Sequence, residues 1–488
     1  MISGEQRVCV DWAVEAEEGD SLRIEAFAGT GKTTTLGYLV AQIKAVYPTD
    51  RVLYLAYNSA IAAETATKPA FEGCDVMTCH AFGARAIRAA YPGSKLDKSG
   101  EESRKLCQSA LVQILGTPRA ANLPKSAAST LSRAVSLAKN TLATPKSLPG
   151  ILDDFDLGAP ESIDSTEWVQ CVAAVIAATK ANLSKFHGFD DMVWAPARGL
   201  VPVPTRYQWI LVDEAQDLNR ARMSLVLRTA GKSARVVYVG DSRQAIYGFQ
   251  GADESALDTL GGLLSPRGSV TVATLSTTYR CPKSVVTEAQ KIVPAFRAAD
   301  GNLLGEVRGP TKGELPRPGD FVISRLNAPL ATWALRLLRA RIPARIRGKD
   351  TADGLAKILE KCTPFEGASV ADVISSLRAW ESDQIDKFLA QGEKGEAKIA
   401  LVRDQVETLL AIGEDCVSVS DWRARLESLY SDDRKGSYVE LLSAHKSKGL
   451  EAPTVWVLTD TFKTGLGGQE ANLYYVAVTR AQSTLVLV

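Results

Sequence analysis

The chain contains 488 residues, of which 45% are hydrophobic and 23% are charged, and its 57 lysines and arginines almost balance its 56 aspartates and glutamates. A chain of this length suits two to four domains, each large enough to bury a core of its own. The balanced charge excludes a strongly basic, histone-like surface, although a local basic groove is compatible with it.

Strand-like runs and longer helical patterns alternate along the chain. Runs rich in Val, Ile, Leu and Tyr occur in two sets, and helical patterns separate the members of each set. This alternation predicts parallel sheets covered by helices, in two α/β domains. The first set is RVLYLAY (51–57), WILVDE (209–214), ARVVYVGD (234–241) and VTVATL (270–275), and the second is DFVISR (320–325), YVELLSAH (438–445), TVWVLTD (454–460) and TLVLV (484–488).

Each set of strands is interrupted by a stretch without strand-like runs. The first stretch is rich in Ala, Ser, Leu and Lys, and the second contains helical patterns such as DVISSLRAW and DWRARLESLY. Both are interpreted as helical insertions. The expected organisation is a first α/β domain at 1–87 and 201–280 with a helical insertion at 88–200, and a second at 281–350 and 436–488 with a short helical insertion at 351–435.

A phosphate-binding loop follows the strand-like segment SLRIEAF. The sequence AFAGTGKT (26–33) has the spacing of such a loop, with Ala26 in place of the usual first glycine. Glycines let backbone N–H groups curl around phosphates, the lysine reaches the β- and γ-phosphates, and the next hydroxyl can ligate Mg²⁺. The expected nucleotide-binding residues are Ala28, Gly29, Thr30, Gly31, Lys32, Thr33 and Thr34, and Thr33 is also expected to bind the metal.

An acidic pair, Asp213 and Glu214, ends the apolar strand WILV. Such a pair alone is usually a solvated turn. Together with a phosphate loop it predicts an ATP-hydrolysing site, because one carboxylate can hold Mg²⁺ and the other can polarise a water for attack on the γ-phosphate. We expect Asp213 to bind the metal and Glu214 to act as the base.

Cysteine usage and hydropathy bear on location. The eight cysteines are scattered and form no CxxC pair, which predicts reduced and mostly buried thiols. The sequence has no secretory signal pattern and no apolar run of about 18 residues. We therefore expect a cytoplasmic protein without membrane association.

The segments DEAQDLN and VGDSRQAIYGFQGA, together with further motifs along most of the chain, resemble those of superfamily 1 helicases of the UvrD/Rep/PcrA type. The segments AFAGTGKTTTL, TCHAFGARAI and NLYYVAVTRA are most similar to the F-box DNA helicase branch. The resemblance implies two RecA-like domains of the phosphate-loop class, each with a helical insertion. It is carried by DEAQDLN (213–219) and VGDSRQAIYGFQGA (239–252), together with GEQRVCVDW, the phosphate loop, LAYNSAIAAE, TCHAFGARAI, TTYRCP (277–282), SAHKSKGLE (443–451) and NLYYVAVTRA (472–481).

The resemblance implies that ATP binds between the two domains and that three residues contact its nucleoside. Gln6 would read the adenine edge, because an amide can donate and accept at once. Tyr279 would stack on the base. Glu451 would contact the ribose or the neighbouring catalytic network.

Three further residues are implied to act near the γ-phosphate. Gln244 would sense this phosphate and link its loss to the DNA-contacting residues that follow. Arg280 would approach it, and Arg480 would act as an arginine finger that stabilises the charge developing on the leaving phosphoryl group.

The resemblance implies that the protein moves on single-stranded DNA or tailed duplex DNA. Aromatic faces stack on bases of any sequence, with about 1–3 kcal/mol per base. Aromatics in glycine-rich segments are often core residues, but the helicase motif favours DNA contact here. A metal site built from two histidines is disfavoured, because no carboxylate or thiol accompanies them at ligand spacing. The residues expected to line the DNA groove are Tyr57, Asn58, His80, Phe82, Tyr247, Phe249 and His445.

Two functions from different classes stay open at this point. The first is an ATP-dependent 3′–5′ DNA helicase and single-stranded DNA translocase, with the polarity implied by the resemblance. The second is a nucleotide-gated DNA-sensing ATPase subunit that works with a partner such as a nuclease in a phage, plasmid or anti-phage defence system. A repair or replication factor is an alternative partner. The short second insertion favours translocation over processive unwinding.

Overall fold

The computed structural model describes residues 2–124, 126–155, 157–160, 162–203, 207–246, 255–389, 393–430, 436–463 and 468–488. The chain folds into two compact units, Met1–Ser276 and Thr277–Val488. The first unit therefore ends shortly before residue 280, where the sequence suggested a boundary, and Tyr279 and Arg280 belong to the second unit.

The first unit contains a six-stranded parallel sheet and a separate two-stranded one within the described residues. Its strands are β1 (Ser21–Ala26), β2 (Val52–Ala56), β3 (Asp75–Thr78), β4 (Lys95–Leu96), β5 (Phe186–His187), β6 (Trp209–Val212), β7 (Arg235–Gly240) and β8 (Val270–Leu275). The order in the large sheet is β3-β2-β6-β7-β1-β8, and β4 pairs with β5. The described helices are α1 (Gly4–Glu15), α2 (Lys32–Val46), α3 (Ser59–Ala66), α4 (Cys79–Ala90), α5 (Glu101–Leu115), α6 (Thr117–Ala121), α7 (Ala127–Asn140), α8 (Leu148–Asp154), α9 (Ser165–Asn182), α10 (Phe189–Ala197), α11 (Arg220–Ala230) and α12 (Ala256–Leu264).

The two faces of this large sheet carry separate cores. Along β2, the side chains of Tyr54 and Ala56 pack on one face with apolar residues of α1 and α2. Leu53 and Leu55 pack on the other face with residues of α4, α11 and α12. Both faces are apolar because helices cover both, which explains why β2 and β6 are buried along their whole length.

Helices α5, α7, α8 and α9, which lie between β4 and β5 in the sequence, form a small core of their own. Trp168 is buried at its centre, and its indole N–H donates to the carbonyl oxygen of Leu157 at 2.8 Å. The end of α7 connects this bundle to the sheet. Asn140 donates to Asp190 Oδ1 at 3.2 Å and accepts from Asn219 Nδ2 at 2.9 Å.

The second unit also contains a six-stranded parallel sheet within the described residues. Its strands are β9 (Thr277–Thr278), β10 (Arg297–Ala298), β11 (Glu306–Arg308), β12 (Phe321–Ser324), β13 (Ala344–Ile346), β14 (Val439–Ser443), β15 (Ala452–Val457) and β16 (Ala481–Leu487). The order is β11-β16-β15-β12-β14-β13, and β9 pairs with β10. The described helices are α13 (Lys283–Ala289), α14 (Ala328–Arg339), α15 (Lys349–Lys361), α16 (Val370–Leu389), α17 (Glu393–Gly413), α18 (Val419–Leu429) and α19 (Gly468–Val478).

The two parallel sheets confirm the expected α/β class with two RecA-like domains and added helical content. Helices α15 to α18 occupy the chain between β13 and β14, and Trp422 of α18 lies in the same core as Leu441 of β14. Within the described residues, no helix is both long and apolar enough to cross a bilayer.

A buried carboxylate joins helix α17 of the second unit to the start of α14. Asp404 of α17 is only 6% exposed and accepts from the backbone N–H groups of Asn327 and Ala328, both at 2.9 Å. It also accepts from Asn327 Nδ2 at 2.9 Å. These bonds satisfy N–H groups at the start of α14 that have no partner within the helix.

Replacing Asp404 by Ala is expected to lower the free energy of unfolding of the second unit by about 2–4 kcal/mol, because it removes charged hydrogen bonds and leaves buried N–H groups unpaired. Urea titration followed by tryptophan fluorescence measures this loss. The matched control is Glu407→Ala on the same helix, whose carboxylate forms an exposed pair with Arg378 at 2.8 Å. That change is expected to cost less than about 0.5 kcal/mol. Equal losses for the two variants would contradict the assignment.

Candidate functional site

The phosphate loop leaves β1 in a shape that needs glycine at two positions. Gly29 and Gly31 have φ angles of 69° and 83°, which residues with a Cβ rarely adopt. Thr30 is buried and its hydroxyl donates to the carbonyl oxygen of Phe27 at 2.9 Å. Helix α2 begins at Lys32, so its N-terminus points its free N–H groups at the loop.

Lys32 contacts the acidic pair that was predicted to form the site with it. Its Nζ lies 2.8 Å from Glu214 Oε2. Burial acts to lower the pKa of Lys32, but the charges of Glu214, Asp213 and Asp241 outweigh burial and raise it. The ammonium therefore stays charged, surrounded by carboxylates.

Asp213 is held by a hydrogen bond on each of its oxygens. The hydroxyl of Tyr54 donates to Oδ2 at 2.6 Å, and the backbone N–H of Glu214 donates to Oδ1 at 2.9 Å. Asp213 is 4% exposed, and burial followed by the charge of Glu214 raises its pKa. A cation placed here would relieve this unfavourable burial of negative charge.

The donor set fits Mg²⁺ only when the nucleotide supplies further ligands. No group of three or more His, Cys, Asp or Glu residues suited to a metal occurs among the residues that the structure describes. Asp213 offers a carboxylate, and Thr33, half-buried in the first turn of α2, offers a hydroxyl. Mg²⁺ is usually bound by one or two such oxygen ligands together with substrate phosphates and water.

A chain of hydrogen bonds continues from Glu214 into the next strand end. Gln216 donates to Glu214 Oε2 at 2.5 Å and accepts from the backbone N–H of Asp241 at 3.1 Å. Asp241 Oδ2 accepts from Gln244 Nε2 at 2.7 Å. The sequence singled out Gln244 but not Gln216 or Asp241, although Asp241 directly follows an apolar strand, as Asp213 does, and Gln216 lies in the turn just after the acidic pair.

Gln6 lies beside the phosphate loop, and hydrogen bonds hold both ends of its amide. Oε1 accepts from the backbone N–H of Ser3 at 3.1 Å, which closes a capping box at the start of α1. Nε2 donates to Thr35 Oγ1 at 3.2 Å. The structure therefore gives Gln6 a structural role, and its contact with adenine stays a prediction.

Two residues selected for DNA contact lie near one cation. Tyr57 follows β2, and the guanidinium of Arg222 lies 5.7 Å from the centre of its ring. His80 lies in the first turn of α4 after β3, where burial and the charge of Arg222 lower its pKa. The sequence did not single out Arg222, because an arginine on a helix is usually a surface residue.

The remaining DNA-contact predictions for the first unit have different outcomes. Asn58 is exposed and caps α3, accepting from the backbone N–H of Ile61 at 2.9 Å. Phe82 is 0% exposed and packs in the core, with its ring centre 6.3 Å from that of Tyr207. The expectation that Phe82 lines a groove is therefore corrected: α4 turns this side chain toward the sheet. Tyr247 and Phe249 lie outside the described residues.

In the second unit, Tyr279 and Arg280 lie side by side in different environments. Tyr279 is 51% exposed. Arg280 Nε lies 2.5 Å from Glu451 Oε2, and Gln482 donates to Glu451 Oε1 at 2.9 Å. The structure thus pairs two residues that the sequence assigned to the nucleotide.

Arg480 is almost fully buried in the short connection between α19 and β16. Its guanidinium donates to the carbonyl oxygen of Val476 at 2.8 Å and to that of Leu450 at 3.2 Å. His445 follows β14, where burial and the charges of Arg325 and Lys448 lower its pKa to about 4. The finger role of Arg480 and the DNA contact of His445 stay predictions.

Several curated proteins are similar to this chain over part of their own length. F-box DNA helicase protein 1 of Schizosaccharomyces pombe is 26% identical over 542 aligned residues, which cover 100% of this chain and 57% of that protein. ATP-dependent DNA helicase PcrA of Staphylococcus epidermidis RP62A is 25% identical, and that of Staphylococcus aureus COL is 26% identical, each over 58% of this chain and 39% of PcrA. The chain thus spans less than two thirds of the length of these relatives.

Family models cover both units. Residues 11–261 match the UvrD/REP helicase N-terminal domain, and residues 438–488 match the UvrD-like helicase C-terminal domain. These matches confirm the resemblance seen in the motifs, and members of this family use ATP. Because the first match alone covers more than half of its residues, the chain belongs to the UvrD/Rep helicase family.

Proposed function

We propose that this protein is an ATP-dependent 3′–5′ DNA helicase and single-stranded DNA translocase. The observation that carries the proposal is the 2.8 Å contact between Lys32 of the phosphate loop and Glu214 of the acidic pair. A loop that can hold phosphates is therefore in direct contact, through its lysine side chain, with a carboxylate that can act as a base. Family membership supports DNA as the partner.

In the proposed reaction, ATP phosphates enter the loop and take the place of Glu214 beside Lys32. The ammonium and the free N–H groups at the start of α2 then stabilise the phosphate charge. Glu214, released from Lys32, orients the attacking water and accepts its proton. When bound through Thr33 and Asp213, Mg²⁺ would neutralise part of the charge on the β- and γ-phosphates.

Gln216, Asp241 and Gln244 give a physical route from hydrolysis to DNA. Glu214 is joined to Gln244 through Gln216 and Asp241 by bonds of 2.5, 3.1 and 2.7 Å. A change in the partners of Glu214 therefore alters the hydrogen bonding of Gln216 directly. We propose that, when the γ-phosphate is lost, these hydrogen bonds transmit the change to the segment after Gln244.

The proposed DNA-contacting residues of the first unit include an aromatic ring and a positively charged side chain. Tyr57 offers an aromatic face, Asn58 an exposed amide, and Arg222 lies over Tyr57 and near His80. Stacking on aromatic rings and attraction of phosphates to cations are the two main sources of single-strand affinity. We propose that His445 of the second unit also contacts DNA. Arg280 and Arg480 are proposed to act on the γ-phosphate of the nucleotide.

Replacing Glu214 by Gln is expected to preserve ATP binding and to lower DNA-stimulated hydrolysis by about 10²–10⁴-fold, because the amide cannot accept the proton of the water. Steady-state phosphate release, with and without single-stranded DNA, measures the loss, and equilibrium binding of a fluorescent ATP analogue measures retention. The control is Glu72→Gln, an exposed carboxylate of the same unit. A normal rate of ATP hydrolysis by the Glu214→Gln protein would refute the role of Glu214 as base. A wild-type rate that is the same with and without single-stranded DNA would refute the proposal that the protein is a DNA translocase.

The polarity is tested with two duplexes that differ only in the end that carries a single-stranded tail. A protein that moves 3′ to 5′ along its strand is expected to separate the duplex with a 3′ tail in the presence of ATP and to leave the one with a 5′ tail intact. Strand separation followed by fluorescence gives the answer. Preference for the 5′ tail would reverse the proposed direction. The Glu214→Gln protein is the control for ATP dependence.

Asp241, proposed to hold the sensor Gln244, gives a pH-dependent prediction. Burial raises its pKa to about 7, although Lys32 opposes the shift. The folded protein therefore binds a proton on the Asp241 carboxyl group more tightly than the unfolded chain does. The stabilisation that results is fully present below about pH 4 and is lost as the pH rises through about 7.

We expect the free energy of unfolding of the Asp241→Asn protein to increase relative to that of the wild type from pH 4 to pH 7, and to level off above about pH 8, because the amide does not ionise. Urea titrations of the nucleotide-free proteins across this range measure the difference. A difference that stays constant with pH would show that Asp241 is already ionised at pH 4.

A further inference from the structure

Tyr54 lies at the centre of β2, next to the strand that leads into the acidic pair. The two strands pair so that Tyr54 lies opposite Leu211 and Leu55 opposite Val212, and the backbone N–H of Asp213 donates to the Leu55 carbonyl oxygen at 3.1 Å. Because side chains alternate along a strand, Tyr54 and Asp213 fall on the same face of the sheet. This is the face against which α1 and α2 pack.

The hydrogen bond from Tyr54 to Asp213 is short and shielded from water. The hydroxyl lies 2.6 Å from Asp213 Oδ2, and the two residues are 0% and 4% exposed. The ring cannot turn away freely, because Phe71 packs edge-on against it with ring centres 5.0 Å apart. Buried tyrosines usually satisfy their hydroxyl in this way, and a bond to a carboxylate is stronger than one to a neutral acceptor.

We propose that Tyr54 is a positioning residue that orients Asp213 to bind the divalent cation accompanying the nucleotide. The proposal rests on the proposed function, because it assumes that Asp213 binds this cation. Tyr54 and the Glu214 N–H each occupy one site on a different carboxylate oxygen, so the carboxylate is fixed while both oxygens keep acceptor capacity. A neutral hydroxyl orients the carboxylate without adding a positive charge that would repel the metal.

The Tyr54→Phe protein tests this role, because only the hydroxyl is removed. Electron paramagnetic resonance of Mn²⁺ measures metal binding to the full chain with the non-hydrolysable analogue AMP-PNP, and calorimetry in EDTA measures binding of AMP-PNP alone. We expect about tenfold weaker Mn²⁺ binding and a metal-free nucleotide affinity within about twofold of the wild type, since partners of a metal ligand act on the metal.

The matched control is Tyr238→Phe on β7 of the same sheet. Tyr238 is also buried, but its hydroxyl has no hydrogen-bond partner within the described part of the chain. This variant is expected to keep both affinities of the wild type, and thermal unfolding checks that both variants fold.

Three outcomes would overturn the inference, and they are distinguishable. Unchanged Mn²⁺ binding by Tyr54→Phe would show that the hydroxyl does not orient Asp213. An equal loss of metal-free nucleotide binding would show that the residue only maintains the fold. A wild-type protein that binds AMP-PNP under neither condition would refute the proposed function, and the inference with it.

Discussion

One ammonium group among buried carboxylates determines the arrangement of the first sheet's functional edge. Lys32 lies 2.8 Å from Glu214, and the charges of Asp213 and Asp241 act on it as well. Burying ionised carboxylates without a cation would cost several kcal/mol each, so the ammonium of Lys32 stabilises the approach of these strand ends. The lysine that would bind phosphates therefore also holds the nucleotide-free site together.

The parallel sheet brings these charges together. Strands β6, β7 and β1 are neighbours, and Asp213, Asp241 and the phosphate loop follow their carboxyl ends. In a parallel sheet all carboxyl ends share one edge, which is where open α/β folds bind their ligands. Residues far apart in the sequence thus become one site through strand order alone, and short polar side chains such as Gln216 are enough to connect them.

Much of the fold was predictable from the sequence, and two of the strands that were not predicted show why. Central strands such as β2 and β6 are continuous apolar runs because helices cover both of their faces. The strands β3 and β11 were not predicted, since they are short and only partly buried. Their sequences lack the apolar run that marks a central strand.

The site was predictable where a motif fixes the chemistry and not where packing decides it. Lys32 and Glu214 were expected to act together, and the structure brings them into contact. Phe82 was expected at a surface, but which face of α4 meets the sheet depends on tertiary packing, and this residue is in the core. Tyr54 escaped notice because a tyrosine in an apolar strand looks like any core residue, and its partner is 159 positions away.

The backbone of Glu214 has an unfavourable conformation. Its φ angle of 50° lies in the left-handed region, where a residue with a Cβ is strained by about 1–2 kcal/mol. Glycine or asparagine would relax this turn, so a search for stabilising substitutions would select position 214 early. Either change would also remove the carboxylate that pairs with Lys32 and accepts from Gln216, so relief of backbone strain is a misleading guide to the choice of variants at this turn.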